Sequence, residues 1–290
     1  MNSHMTQLTI GDLSIRAPAR AGAEVAFLYH EIFEQRCYLQ HGIQVRAGDV
    51  VIDAGANLGL FSLYLATHVP GARIHAFEPL PPIFACAKEN LNGHAGVQLH
   101  AVGLSNRAGE VAFEYFPKVP SNSTMYPGDK RGETRALGSD FKLRDIYKVS
   151  KLHGLMLTAL YPLRRWIVRA YLADKFRDPE IYPCQLTTLD HVIEHHGLTS
   201  IALLKVDVEG AELDVLDGLS DANLRKVAQL ALELSPKHKP QLARLTARLR
   251  AAGFTNIIAQ SAISGSDPNT DIYPCVVYAT QTVQTAKELS

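Results

Sequence analysis

Three acidic side chains each close a short apolar or β-branched run and are followed within three residues by glycine or proline. Asp53 ends Val50-Val-Ile-Asp53 and leads into Ala54-Gly-Ala-Asn-Leu-Gly59. Glu78 ends Arg73-Ile-His-Ala-Phe-Glu78, and Asp207 ends Leu203-Leu-Lys-Val-Asp207 before Val208-Glu-Gly-Ala-Glu212. A carboxylate at the end of a strand can accept hydrogen bonds from ribose hydroxyls, take a proton from a weak nucleophile, or ligate a hard cation. Glu78 suits the first role, because it lies 25 residues after Asp53, near the interval at which nucleotide-binding α/β folds place their ribose acid. Asp207 and Glu209 suit the second, with Glu233 ending the following strand and His238 five residues on. Asp207 and Glu233 together, with His238, would also suit magnesium through oxygen ligands, although no adjacent Asp-Asp or Asp-Asn pair supports it.

These side chains need a parallel sheet to hold them. Val50 to Ala54 reads as a strand buried on both faces, Gly55 and Gly59 bracket a tight turn, and Leu60 to Ala66 continues as a helix. The absent Cβ atoms let a ligand approach the main chain at a helix N-terminus. Strands at 73–77, 97–102, 201–207, 227–233 and 254–259 alternate with helices at 82–91, 211–219 and 239–252, the pattern of a doubly wound α/β domain. Gly103 to Asn106 reads as a small-residue turn, and Tyr273 to Ala279 as a closing strand that need not be parallel. Upstream, Gln7 to Ile15 reads as a hairpin around Gly11-Asp12, and Glu24 to His41 as one amphipathic helical stretch able to pack over the first loop.

The alternation breaks after Glu110-Val-Ala-Phe-Glu-Tyr-Phe116, an antiparallel strand whose partner is Pro183 to Leu189. Between them an insertion opens with the polar loop Ser121-Asn-Ser-Thr124 and turns helical, with Pro162 separating two helices. Residues 127–182 hold 12 Lys/Arg against 7 Asp/Glu, and Arg164, Arg165 and Arg169 surround Trp166. A cap over the site at about 120–182 is the leading expectation, with docking to an acidic carrier or membrane surface as the sharper alternative. The expected division is therefore an N-terminal extension at 1–45, a catalytic domain at 46–280 and a tail at 281–290. Met1 to Met5 resembles a cloning remnant.

Composition bounds the rest. At 290 residues, 47% hydrophobic and with 29 basic against 29 acidic side chains, the chain can bury a full core and carries no global basic field for nucleic acid. Cys37, Cys86, Cys184 and Cys275 form no Cys-x-x-Cys pair, which points to a reducing, cytoplasmic setting without a disulfide framework. No apolar run is long enough for a transmembrane helix.

Taken together, Val51 to Gly59, Phe77-Glu-Pro79, Thr188-Leu-Asp190 and Lys205-Val-Asp-Val-Glu-Gly-Ala-Glu212 resemble the FkbM family of S-adenosylmethionine-dependent methyltransferases over about residues 45–280, outside the insertion. The resemblance implies a class I methyltransferase fold: a seven-stranded, mostly parallel sheet with helices on both faces and an antiparallel last strand. It implies methyl transfer to a hydroxyl of a small molecule such as a natural product or sugar. Carried over by position, Asp53, Gly55, Asn57 and Gly59 would line the methionine portion of the cofactor and Glu78 its ribose. Pro79, Gly103 and Ser105 would lie near the adenine.

An alcohol must lose its proton at or before the transition state, and direct acceptance by Asp207 or His238 is slightly favoured over the magnesium scheme. Glu209 and Glu212 can also be read as acids favouring a helix N-terminus. Lys205 is odd within a buried strand and is expected to pair with one of these acids or to snorkel from the sheet edge. His30, His41, His75 and His100 read as ordinary surface or core residues. Two other functions compete. A nicotinamide-dependent oxidoreductase is disfavoured because the turn lacks Gly-x-Gly-x-x-Gly, and a silent binding module because Gly55, Gly59, Glu78 and Asp207 are intact. A homo-oligomer stays among the expected partners, since no motif encodes the oligomeric state.

Overall fold

A computed structural model describes residues 5–128, 164–261 and 274–281. Its centre is a seven-stranded sheet built from β3 (Val50–Ala54), β4 (Arg73–Phe77), β5 (Val97–His100), β9 (Leu203–Val206), β10 (Gln229–Leu234), β11 (Phe254–Ser261) and β12 (Cys275–Gln281). The order is β11-β12-β10-β9-β3-β4-β5, parallel except that β12 runs antiparallel to both of its neighbours. This is the class I methyltransferase architecture that the sequence resemblance implied. The chain reverses its direction of travel across the sheet between β3 and β9. A topological switch point therefore opens at their carboxyl ends, where ligands bind in open α/β sheets.

Strand periodicity divides the core in two. Val51, Ile74, Ala76 and Leu203 face one layer of helices, α2 (Leu60–His68) and α3 (Pro81–Asn90). Val50, Ile52, Phe77, Leu204 and Val206 face the other, formed by α5 (Leu189–His195), α6 (Glu212–Asp217) and α7 (Leu242–Ala251). Both faces of β3 and β9 are buried, so these strands read as continuous apolar runs rather than alternating ones.

The N-terminal hairpin, β1 (Met5–Ile10) and β2 (Leu13–Pro18), joins the first of these cores through Ile15 and Ala17. Asn90 fixes it in place: its amide donates to the Arg16 carbonyl and its Oδ1 accepts the Arg16 N–H. The stretch expected to be one helix from Glu24 to His41 is instead α1 (Gly22–Tyr29) followed by a π-helical turn, His30–Glu34. Arg36 and His41 then adopt left-handed backbone conformations, and Tyr38 turns inward. Amphipathic periodicity located the apolar face but not the wider turn that ends the helix.

A second sheet carries the insertion. β7 (Gly109–Tyr115) pairs antiparallel with β8 (Glu180–Thr187), as the alternating pattern predicted. Gly103–Leu104, read as a turn, instead forms β6, a short strand parallel to β8. Within the insertion, α4 (Arg164–Lys175) lies among the described residues and exposes Trp166 and Tyr171. Residues 129–163, with the expected division at Pro162, lie outside them. The pairing of β7 with β8 closes the base of the insertion next to the main sheet.

One buried ion pair joins the two central strands. Lys205 Nζ lies 3.1 Å from Asp53 Oδ1 and donates to the carbonyl of Gly55 at 2.6 Å. Asp53 also accepts from Ser62 Oγ at 2.7 Å, so it is spoken for from both strand and helix. Gly55 itself has φ +79°, and a Cβ there would lie 1.8 Å from the Asp207 carbonyl oxygen. Two outcomes follow. Lys205→Met leaves the Asp53 carboxylate buried without its cation and lowers unfolding free energy by about 3–5 kcal/mol, measured by chemical denaturation. Gly55→Ala combines left-handed strain with backbone overlap and lowers it by about 3 kcal/mol or more in the same experiment.

Candidate functional site

A cavity of about 1150 Å³ opens over the carboxyl ends of β3, β4, β9 and β10. The turn after β3 forms one wall. Gly55 and Asn57 both take positive φ, and the Asn57 N–H donates to Glu78 Oε2 at 3.0 Å. The Leu80 N–H donates to Glu78 Oε1 at 2.9 Å, so two backbone amides aim this carboxylate at the cavity. Burial raises Glu78 to about 7, against the opposing effect of those amides. Asn57 Oδ1 is buried with no hydrogen-bond partner among the described residues, which leaves an acceptor for a ligand donor.

Of the residues expected at the cofactor, Gly55, Asn57, Glu78, Pro79 and Gly103 line this cavity. Asp53, Gly59 and Ser105 do not. Asp53 is fully buried behind the turn, where Lys205 and Ser62 hold it, so it supports the wall rather than touching a ligand. Gly59 is the left-handed N-cap of α2 and packs against Leu91. Ser105 donates its N–H to Thr187 and lies under the Gly218 backbone. These three residues belong to elements that border the cavity, but their own positions face away from it.

The opposite wall is acidic. Asp207, Glu209 and Glu233 line it together with Glu31, which the π-helical turn presents. Asp207 Oδ2 accepts from the Tyr38 hydroxyl at 2.7 Å and lies 3.9 Å from Lys205 Nζ. Burial alone would lower the Lys205 ammonium, but the Asp53 and Asp207 carboxylates outweigh it and hold the ammonium above its usual range. Burial raises Glu31 to about 7, helped by the neighbouring Asp207 charge. Burial and the same charge push Glu233 well above the ordinary carboxylate range. Burial and Asp207 likewise raise the Tyr38 phenol, which stays a donor.

Glu31, Tyr38 and Tyr278 are cavity residues that sequence reading missed. Nothing in the spacing near Glu31 marks it, because the π turn that directs it inward depends on packing. Tyr38 carried one usable signal: an aromatic hydroxyl shortly before the first strand of a nucleotide-type turn.

His238 belongs elsewhere. Its Nδ1 lies 2.9 Å from Glu212 Oε2 and it is absent from the cavity wall, so its expected role as proton acceptor is set aside. Glu212, read as a possible helix-dipole acid, is a buried anchor. It accepts from the Gly210 N–H at 2.6 Å and from Ser235 Oγ at 2.9 Å. Burial would raise it, but these partners and His238 hold it below the usual carboxylate range. This anchor fixes the sharp turn in which Glu209 takes φ +51° and Gly210 φ +101°. Thr124 Oγ1 donates to the Glu209 carbonyl at 2.8 Å, so the polar loop of the insertion clasps the acidic turn.

The magnesium alternative at Asp207 and Glu233 lacks a suitable donor set. Tyr38 already engages Asp207 Oδ2, and Lys205 already supplies a positive charge. Among the described residues, the group of metal-ligating side chains with converging atoms is His75, His100 and His196, not these acids. The Thr188-Leu-Asp190 motif has a structural role: Thr188 caps α5 by accepting the His191 N–H. Asp190 Oδ1 accepts from the Ser220 N–H and Asn223 Nδ2.

Comparison with known proteins agrees with this architecture. Residues 53–255 match the methyltransferase FkbM domain family. The chain is 34% identical over 246 residues to 31-O-demethyl-FK506 methyltransferase FkbM of Streptomyces tacrolimicus, covering 83% of this chain and 85% of that one. It is 31% identical over 250 residues to Methyltransferase 1 of Beauveria bassiana, covering 86% and 88%. AMB antimetabolite synthetase AmbE of Pseudomonas aeruginosa is 38% identical over 260 residues, which is 87% of this chain but 11% of AmbE. The chain thus spans a small part of AmbE and most of the other two. The matched region contains both the glycine turn after β3 and the acidic turn after β9, and the chain belongs to the FkbM methyltransferase family.

Proposed function

We propose that the protein transfers a methyl group from S-adenosylmethionine to a hydroxyl oxygen of a small molecule. The observation that carries this reading is a single cavity with two chemically different walls. On one wall, the left-handed Gly55 turn packs directly on the Asp207 carbonyl, Asn57 Oδ1 has no hydrogen-bond partner among the described residues, and Glu78 is held by two amides. These features fit a nucleoside carrying ribose hydroxyl donors. The bound cofactor supplies an electrophilic methyl group on a sulfonium. Relatives agree in chemistry: the protein from Streptomyces tacrolimicus is named for a 31-O-demethyl substrate, and NoeI of Sinorhizobium fredii is named a 2-O-methyltransferase.

On the other wall, the acceptor hydroxyl has to be aligned in line with the methyl and relieved of its proton. Glu31 is the carboxylate suited to take that proton, because burial and the Asp207 charge bring its proton affinity near neutral pH. Glu233, which burial and the Asp207 charge push above the ordinary carboxylate range, lines the same wall and contributes to acceptor placement. Asp207 has Tyr38 and Lys205 fixed against it; it orients the acceptor and raises the proton affinity of Glu31. Glu209 lines the same wall on a clasped, left-handed turn and contributes to acceptor placement.

Ligand binding and pH profiles test this. In calorimetric titration, S-adenosylhomocysteine binds and NADH does not; binding of NADH alone would remove the reading. Glu78→Gln deletes a charged acceptor and weakens S-adenosylhomocysteine about 10- to 100-fold, with circular dichroism confirming that the variant is folded. Glu31 has a folded value of about 7, so methyl transfer to a hydroxylated acceptor rises with pH through that region as the carboxyl ionises. Glu31→Gln removes this rise and lowers kcat about 100-fold or more. Asp207→Asn moves the rise to lower pH, because the negative neighbour that raised Glu31 is gone. An unchanged profile in both variants would exclude Glu31 as the base.

A further inference from the structure

Outside the cavity, three imidazoles from three separate elements converge. His75 lies in β4, His100 ends β5, and His196 caps the C-terminus of α5. One ring nitrogen from each lies within 4.8 Å of the other two. His75 Nδ1 and His100 Nε2 are 3.4 Å apart, and the ring centroids of His75 and His196 are 4.6 Å apart. Among the described residues, no carboxylate or carbonyl bonds these ring nitrogens. The remaining explanation without a ligand is a neutral stack joined by one long N–H···N contact. Such a stack gives one proton to one pair of nitrogens and leaves the half-exposed His196 ring to solvent.

We propose that His75, His100 and His196 bind one zinc ion. Zinc–nitrogen bonds of about 2.0–2.1 Å in tetrahedral geometry separate ligand nitrogens by about 3.3 Å. The His75–His100 pair already stands at this spacing. His196, half-buried at a helix end, presents a ring nitrogen within 4.8 Å of the other two and would supply the third ligand. Three imidazoles without a carboxylate suit a borderline cation such as zinc better than magnesium or calcium, and water would take the fourth position. Burial and the neighbouring imidazoles keep the rings neutral, as metal ligation requires: His75 falls to about 4, and His100 and His196 are lowered in the same sense.

The ion would clamp the edge of the sheet, β4 and β5, to the end of α5. His100 stacks on Phe77 at 4.6 Å, and Phe77 lines the cavity, so the clamp would also steady the wall beside Glu78. This site shares no residue with the acidic wall, and its test is independent of methyl transfer.

The test is a calorimetric titration of zinc chloride into the chelator-treated, tag-free full chain, with thermal unfolding recorded in parallel. The expected result is one equivalent bound in the micromolar range or tighter and a raised unfolding midpoint. His196→Ala and His100→Ala should each weaken binding by at least about tenfold. His191→Ala and Glu233→Gln should leave it unchanged, since neither residue belongs to the trio. Circular dichroism of each variant confirms that it is folded. Absence of the one-equivalent phase in the wild-type chain, or its retention in both His196→Ala and His100→Ala, would overturn the proposal. Loss of binding in His191→Ala would overturn it in favour of the exposed histidines of α5.

Discussion

The contact on which this architecture most depends is the ammonium of Lys205 between two carboxylates and a carbonyl. It lies 3.1 Å from Asp53, 3.9 Å from Asp207 and 2.6 Å from the Gly55 carbonyl, with almost no exposure to solvent. A lone buried charge is strongly unfavourable, so each member makes the others tolerable. Asp53 closes the first strand of the sheet and Lys205 occupies the strand beside it, in register. The pair therefore pins β3 to β9 at the point where the cavity opens. The carbonyl of Gly55 is drawn toward the same ammonium, which sets the direction of the glycine turn. On the other side, the lysine compensates Asp207, which in turn accepts from Tyr38. One cation thus positions the proposed cofactor turn and the proposed acceptor wall together.

The buried carboxyls of the cavity oppose stability. Burial raises Glu31 on the acidic wall and Glu78 on the facing wall to about 7, and it also raises Glu233 above the ordinary carboxylate range. Their folded values lie above the ordinary 4.5, so the stabilisation linked to them is complete below about pH 4.5 and is lost as pH rises through about 7. A fold optimised for stability alone would replace them with apolar side chains. Their retention in a cavity is the pattern expected where carboxyls must hold or exchange protons near neutrality. The proposed sulfonium cofactor is a cation, and its binding would relieve part of the same repulsion.

Much of this was legible in the sequence because it depends on local geometry. A β-branched run ending in Asp53-Ala-Gly-Ala-Asn-Leu-Gly59 has few solutions other than strand, left-handed turn and helix. The spacing of Glu78 follows from the length of one helix and one strand. The antiparallel pairing of β7 with β8 across the long insertion was visible from alternation alone. What escaped depends on contacts distant in the chain. Tyr38 meets Asp207 across 169 residues, and Glu31 faces the cavity only because a π-helical turn shifts the phase of its helix. His238 looked like a base because it follows Glu233 closely; its ring instead meets Glu212, an acid that looked like ordinary helix decoration. Periodicity reports which face of an element is buried, not which buried neighbour it meets.

The Lys205 to Glu212 motif acquires a physical explanation residue by residue. Lys205 neutralises the turn after β3, and Asp207 meets Tyr38. Glu209 and Gly210 take the left-handed conformations that reverse the chain, and Glu212 folds back to bond the Gly210 amide and hold that reversal. Charge at alternate positions in a strand and its turn is ordinarily a sign of exposure. Here Lys205 and Glu212 are buried, and each is satisfied by partners outside the motif, Asp53 for the first and Ser235 with His238 for the second. The motif can therefore work only within this sheet order. β9 must lie next to β3 for Lys205 to reach Asp53, and β10 must lie next to β9 for Ser235 to reach Glu212. The charges of this short string are tolerated because they are compensated through the strand neighbours that this sheet order supplies.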